Sequence, residues 1–317
     1  MADVLQARDA GFLGVAVYRY LKSAGYEVSV FVQKNGTVDL LVVTDSPVVY
    51  RYLTTGALKG HDAMVSVFPM FLAVERRRIV WCTFRAGITR FVAIDPGWSI
   101  RDDRQLISRI STRKLRIRME NLCMEDDIKY GPRESGLLYT LIYTGLCLNP
   151  GHQDTCLFDI TGRSAHIYAG GDTKLSVSTC THIALAIGTA LGNPQGTGNR
   201  ILRLQSLAIT QRRLLQIVKT VCGAHGWTEE AFGLQDLSRS FFQGEGTNQS
   251  IDDKVFNTQQ GVSRLALLCN LLAGGEGMWS SNDNELLGIV ADDEDSIGRV
   301  LWIYAQYLKD LACLRPS

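Results

Sequence analysis

The stretch Thr155-Cys-Leu-Phe-Asp159-Ile-Thr-Gly162-Arg-Ser164-Ala-His-Ile-Tyr-Ala-Gly170-Gly171-Asp172 decides how the fold is read. An apolar run ends in an aspartate, a small-residue turn follows, and a second alternating run ends in paired glycines. This pattern predicts a tight β-hairpin with an acidic residue at its bend. Backbone N–H groups in such a turn can cradle phosphate oxygens, and a carboxylate beside them can hold the water shell of Mg²⁺. The plainer alternative is an ordinary hairpin whose Asp159 is merely solvated.

Outward from the hairpin, the chain mixes strand and helix signals. Residues 27–33 alternate as a strand, Asn35-Gly36 is a hairpin turn, and 37–43 reads as its partner. Ser46-Pro47 opens a helix to Leu58. Strands are predicted over 64–74, 78–84, 88–94 and 115–119, and helices over 101–110 and 136–148. Residues 178–191 read as a helix stopped by Gly192-Asn193-Pro194. Helical spacing dominates 203–221 and 297–314. The fold class is therefore α/β in the broad, mixed α+β sense, with a strand-rich N-terminal half and a mostly helical C-terminal third. Two domains are expected. Residues 1–150 form a mixed α/β domain carrying a basic segment over 76–118, and residues 151–317 form the hairpin plus a helical domain.

With 317 residues, 46% of them hydrophobic, the chain can bury a sizeable core. No apolar run approaches the roughly 18 residues of a membrane span, and the N-terminus lacks an apolar leader. A soluble cytoplasmic protein with no membrane partner is the expectation. The eight cysteines form no Cys-x-x-Cys pair and read as reduced thiols. Net charge is +1, which excludes a global field for nucleic acid. Charge is nevertheless uneven, because arginines crowd the segment 76–118 while the C-terminal third leans acidic.

Three segments together resemble the actin-like ATPase superfamily of actins, sugar kinases and heat-shock chaperones. Arg8-Asp9-Ala-Gly11-Phe-Leu-Gly14 resembles its first phosphate loop, Phe158-Asp159-Ile-Thr-Gly162 its second, and Leu271-Leu-Ala-Gly274-Gly275-Glu-Gly277 its adenosine loop. Pro132-Arg-Glu134-Ser precedes the second loop at the place of the family's water-orienting acid. The sequence departs from the pattern at Val15 and at Thr161-Gly162-Arg163. The resemblance implies a two-subdomain, ATP-binding protein that uses Mg²⁺ and self-associates into filaments. In it Asp9 and Asp159 hold the metal, Gly11 and Gly162 face phosphates, Glu134 is catalytic, and Gly274 and Gly275 face adenosine.

The second reading is a non-enzymatic RNA-binding protein, a viral one among the candidates. Arg76, Arg77, Arg78, Arg113, Lys114, Arg116 and Arg118, interleaved with Trp81, Phe84, Phe91 and Trp98, would track phosphates and stack bases. A third reading is a structural or assembly protein with no small-molecule site. His152, Cys156, Cys180 and His182 as zinc ligands, and Asp39 with Glu75 and Arg77 as a nuclease centre, are weaker constellations.

Overall fold

A computed structural model describes residues 2–6, 12–32, 49–50, 55–67, 73–95, 137–148, 157–233 and 281–314. The chain divides into two compact units that interleave along the sequence. The first takes residues 1–144, 180–204 and 281–289; the second takes 145–179, 205–280 and 290–317. No helix among the described residues is long and apolar enough to cross a membrane.

The first unit holds a seven-stranded sheet. Its strands are β1 (Ala2–Gln6), β2 (Glu27–Val32), β3 (Val49–Tyr50), β4 (Ala63–Ser66), β5 (Arg90–Asp95), β6 (Leu138–Tyr143) and β11 (Arg200–Arg203). The spatial order is β11-β6-β5-β4-β1-β2-β3, and every ladder is parallel. Parallel strands covered on both faces bury successive residues instead of alternating ones. That is why Ala63, Met64, Val65 and Ser66 are all buried in β4, as are Thr140 to Tyr143 in β6. The same property corrects the helix predicted over 136–148. A continuous apolar run fits a buried strand as well as a helix, and here it forms β6 and β7 (Leu146–Leu148).

Helices connect the parallel strands: α1 (Phe12–Ser23), α2 (Thr55–Leu58), α3 (Ala73–Arg85), α4 (Cys180–Gly192) and α5 (Pro194–Thr197). The strand predicted over 78–84 lies inside α3. Ile79, Val80 and Thr83 are buried there while Trp81 stays half exposed, a helical spacing and not a period of two. The Arg85 guanidinium lies 5.5 Å over the Trp81 ring, so this tryptophan already has a cationic partner. Along α1, Val17, Tyr18 and Leu21 are buried, and α1 packs on α4, whose Gly188 faces the Tyr20 ring.

Arg90, first residue of β5, is buried, and its guanidinium meets no carboxylate among the described residues. Its Nη1 donates to the Leu138 carbonyl at 3.1 Å. Its Nη2 donates to Thr140 Oγ1 at 2.6 Å, to the Ala190 carbonyl at 2.8 Å and to Thr197 Oγ1 at 2.9 Å. Burial lowers the Arg90 pKa to about 10, still charged at neutral pH. One side chain thus fastens β5, β6, α4 and α5 at the amino-terminal edge of the sheet.

The second unit holds two three-stranded sheets. One has the order β12-β10-β7, with β10 (Lys174–Thr179) and β12 (Leu207–Thr210); the other has the order β13-β9-β8, with β8 (Phe158–Asp159), β9 (Ser164–Tyr168) and β13 (Thr228–Phe232). Helix α6 (Gln211–Cys222) packs against α7 (Glu294–Leu314). Buried Gln211 fixes β9 to the start of α6. Its amide donates to the His166 carbonyl and accepts from the Tyr168 N–H. Arg213 pairs with Glu294 at 2.6 Å, and Asp293 accepts the Ser296 N–H at 2.7 Å as a cap of α7. The hairpin predicted over 27–43 contributes only β2 to the described residues; its turn and second strand lie outside them.

Two predictions follow from these contacts. Gly188→Ala pushes a methyl group into the Tyr20 ring and should cost about 1–3 kcal/mol through overpacking, read as a lower midpoint in a thermal melt; an unchanged midpoint would show that α1 can shift off α4 freely. The Ser296 hydroxyl and then its N–H on Asp293, and the Arg213 guanidinium on Glu294, hold both carboxyls below their usual values. Their stabilisation is present above the unfolded-state pKa, about 4, and is lost as pH falls through the lowered values. Melts from about pH 5 to about pH 3 should therefore fall less steeply for the pair Asp293→Asn, Glu294→Gln than for the wild type.

Candidate functional site

The strand order reverses direction at one place. From β1 the chain moves outward to β2 and β3; it then returns to β4, on the other side of β1, and moves outward to β5 and β6. Parallel α/β sheets bind ligands in the crevice beyond the carboxyl ends of the strands at such a switch point. The register gives the crevice its shape. Gln6 of β1 pairs with Ser66 of β4, and Ser66 with Ala93 of β5. Both β1 and β4 stop at that level, but β5 continues to Asp95 and β6 to Tyr143, opposite Arg203 of β11. Two extra residues on that flank amount to a drop of about 6–7 Å at the switch point.

Three features meet at this recess. Only five residues, Ala7 to Gly11, join β1 to the first residue of α1, so the helix starts beside the strand's end. A helix N-terminus there offers unsatisfied N–H groups and a positive dipole end to an anion. Next, Gly11-x-x-Gly14 straddles the start of α1, and Gly14 is buried. In a dinucleotide-binding turn of pattern G-x-G-x-x-G, the second glycine admits the pyrophosphate and the third lets helix pack on strand; Asp9 stands at the first position. Finally, Ser66 is 1% exposed, and its hydroxyl has no hydrogen-bond partner among the described residues.

Of the expected site residues, Asp159 and Gly162 are described and come together, but in each other's service. They flank the turn between β8 and β9, and the Gly162 N–H donates to Asp159 Oδ1 at 2.8 Å. A Cβ on Gly162 would strike the same carboxylate. The amide expected to meet a phosphate is thus turned onto its own hairpin, an Asx-type turn. Arg76, Arg77 and Arg78 fall on the helix α3 and not on the strand face that interleaved aromatics required. Asp9, Gly11, Glu134, Gly274, Gly275, Arg113, Lys114, Arg116 and Arg118 lie outside the described residues, as do His152 and Cys156 of the zinc constellation. No group of three or more metal-ligating side chains is found among the described residues.

No protein-family model matches the chain. The chain is 22% identical over 305 residues to the protein named oxidoreductase poxI of Penicillium oxalicum, covering 92% of this chain and 91% of that protein. It is also similar to solved structures. The binary complex of leucoanthocyanidin reductase with NADPH from Vitis vinifera aligns with a TM-score of 0.66 at 15% identity, covering 94% of this chain and 99% of that one. Triphenylmethane reductase of Citrobacter sp., complexed with NADP(H), aligns with a TM-score of 0.61 at 16% identity and the same coverage. Likeness at this level shows the fold alone, which is Rossmann-like.

These findings overturn the actin-like resemblance and what it implied. These two neighbours are reductases complexed with NADP(H) or NADPH, not ATPases, and the expectation of ATP with Mg²⁺ falls with the actin-like resemblance. Filament-type ATP binding and the RNA-binding, viral reading likewise find no support beside relatives named as oxidoreductases. The actin-like pattern sets its first phosphate loop between two strands, whereas Arg8 to Gly14 follows β1 and runs into the helix α1.

Asp159→Ala should remove the cap on the β8–β9 turn and lower stability by about 1 kcal/mol, the value of a typical side-chain-to-backbone hydrogen bond. Its dinucleotide affinity should match the wild type in calorimetric titration with NADPH; a lost titration signal in a folded variant would return Asp159 to the binding site.

Proposed function

We infer that this chain is an NADPH-dependent reductase that holds the dinucleotide across the carboxyl ends of β1 and β4 and passes its hydride to an organic substrate. The observation that carries this reading is the switch point itself: an all-parallel sheet of order β11-β6-β5-β4-β1-β2-β3 whose first strand runs through a five-residue turn and Gly11-x-x-Gly14 into α1. Support comes from the reductases of the same fold, which carry NADPH or NADP(H), and from a full-length relative named as an oxidoreductase.

The chain's own residues then have defined tasks. Gly11 lets the backbone approach the pyrophosphate, and the α1 N-terminus meets its charge. In the sequence after β2 come Gln33 and Lys34, and no acid appears before Asp39. An acid near this place takes the ribose 2′-hydroxyl of NAD, whereas a cation takes the 2′-phosphate of NADP; Lys34 selects NADPH. Asp9 replaces the glycine of the tight turn. Aspartate tolerates the turn conformation, but its charge opposes the pyrophosphate and weakens binding. The substrate is a compound able to accept a hydride, and a protein or solvent group supplies the accompanying proton.

Titration of the wild type with NADPH and NADH, followed by fluorescence, tests this. NADPH should bind more tightly, and Lys34→Glu should weaken NADPH by about tenfold or more, the worth of one charged hydrogen bond, with little effect on NADH. Asp9→Gly should tighten both. A folded wild type that binds neither dinucleotide at millimolar concentration would sink the reading.

A further inference from the structure

Among the described residues of the first unit, the buried hydroxyls are satisfied with one exception. Thr83 donates to the Ile79 carbonyl at 2.8 Å. Thr140 donates to the Thr197 carbonyl at 2.6 Å, and Thr197 to the Asn193 carbonyl at 2.6 Å. Ser66 alone among these hydroxyls has no partner among the described residues, although it is 1% exposed. An unsatisfied buried hydroxyl works against folding. A core position flanked by Met64 and Val65 could hold an alanine, so the oxygen gives the apo fold no advantage.

Its place is not arbitrary. Ser66 is the last residue of β4, the strand beside β1 across the switch point, in register with Gln6 and Ala93. A doubly wound sheet is two mononucleotide-binding halves, and the 2′-position of the adenosine ribose is read from the end of β2. The adenosine half therefore lies over β1, β2 and β3, and the nicotinamide half over β4, β5 and β6. We propose that the Ser66 hydroxyl is a positioning group for the nicotinamide mononucleotide half of NADPH, completing its hydrogen bonding only when the dinucleotide is bound. This rests on the NADPH reading given above. The class of partner is a ribose hydroxyl or the carboxamide, since a neutral hydroxyl can donate to or accept from either.

The experiment uses the full chain with three probes: NADPH, NADH and 2′,5′-ADP, which carries the adenosine half alone. Ser66→Ala should leave the melting point of the free protein unchanged or raised, because an unsatisfied group is removed. The same variant should weaken NADPH and NADH by about three- to tenfold, the worth of one neutral hydrogen bond, and leave 2′,5′-ADP unchanged. Ser66→Cys, of similar size with a weaker donor, should fall between the two. Equal NADPH affinity in the wild type and Ser66→Ala would overturn the proposal while leaving the NADPH reading intact. Weakening of 2′,5′-ADP to the same degree as NADPH would also overturn it, since the serine would then act through the fold. A wild type that binds 2′,5′-ADP and neither dinucleotide would remove the nicotinamide assignment, and one that binds no probe would remove both readings.

Discussion

Arg90 sets the register on which the first unit depends. Parallel strands buried on both faces have little to distinguish one pairing from the next, because a slipped strand still presents apolar residues on each side. A buried guanidinium removes that freedom. Arg90 opposes Leu138 in the β5–β6 ladder, and its bonds reach the Leu138 carbonyl, the Thr140 and Thr197 hydroxyls and the Ala190 carbonyl. A slip of one residue between β5 and β6 would break the bonds to Leu138 and Thr140 and leave the buried charge short of partners, a larger penalty than a mismatch of apolar side chains. Its Nε is already unsatisfied, so the arrangement has no slack to absorb a second loss.

The consequence is felt at the opposite edge. With Arg90 fixed against Leu138, Ala93 is level with Ser66, and Asp95 and Tyr143 stand two residues beyond it. The drop beside β1 and β4 is thus a product of register and strand length together. The Arg90 bonds lie at the amino-terminal edge. At the carboxyl edge the sheet keeps an unsatisfied hydroxyl and a helix N-terminus. Proteins tolerate such local defects where a ligand will complete them and offset them elsewhere.

Much of the secondary structure was legible from local pattern. Strand β2, the β8–β9 hairpin, and helices α4 and α7 follow from alternation, turn residues and helical spacing. In the central sheet, β4 and β5 overlap predicted strands, while β6 reads in sequence as a helix and part of α3 as a strand. Strand β6 has four consecutive buried residues and no alternation, and the arginines of α3 masked a helix whose buried face is only Ile79, Val80 and Thr83 in the described part. Strand order was beyond reach altogether, since it joins segments as far apart as Gln6 and Ser66 or Tyr143 and Arg203. Without it the glycines after β1 could be matched to more than one kind of phosphate loop.

The two aspartate–glycine turns of this chain show why a motif alone does not decide. A turn can bind an anion only with N–H groups that are not already spent. At Gly162 the N–H is spent on Asp159, and the hairpin closes on itself. The turn after β1 differs in what surrounds it: a parallel strand on each side, a helix beginning five residues on, and the reversal of strand order beside it. In a parallel sheet, such surroundings mark the crevice where a ligand binds. Residue types are the same at both turns; topology separates the structural one from the candidate for chemistry.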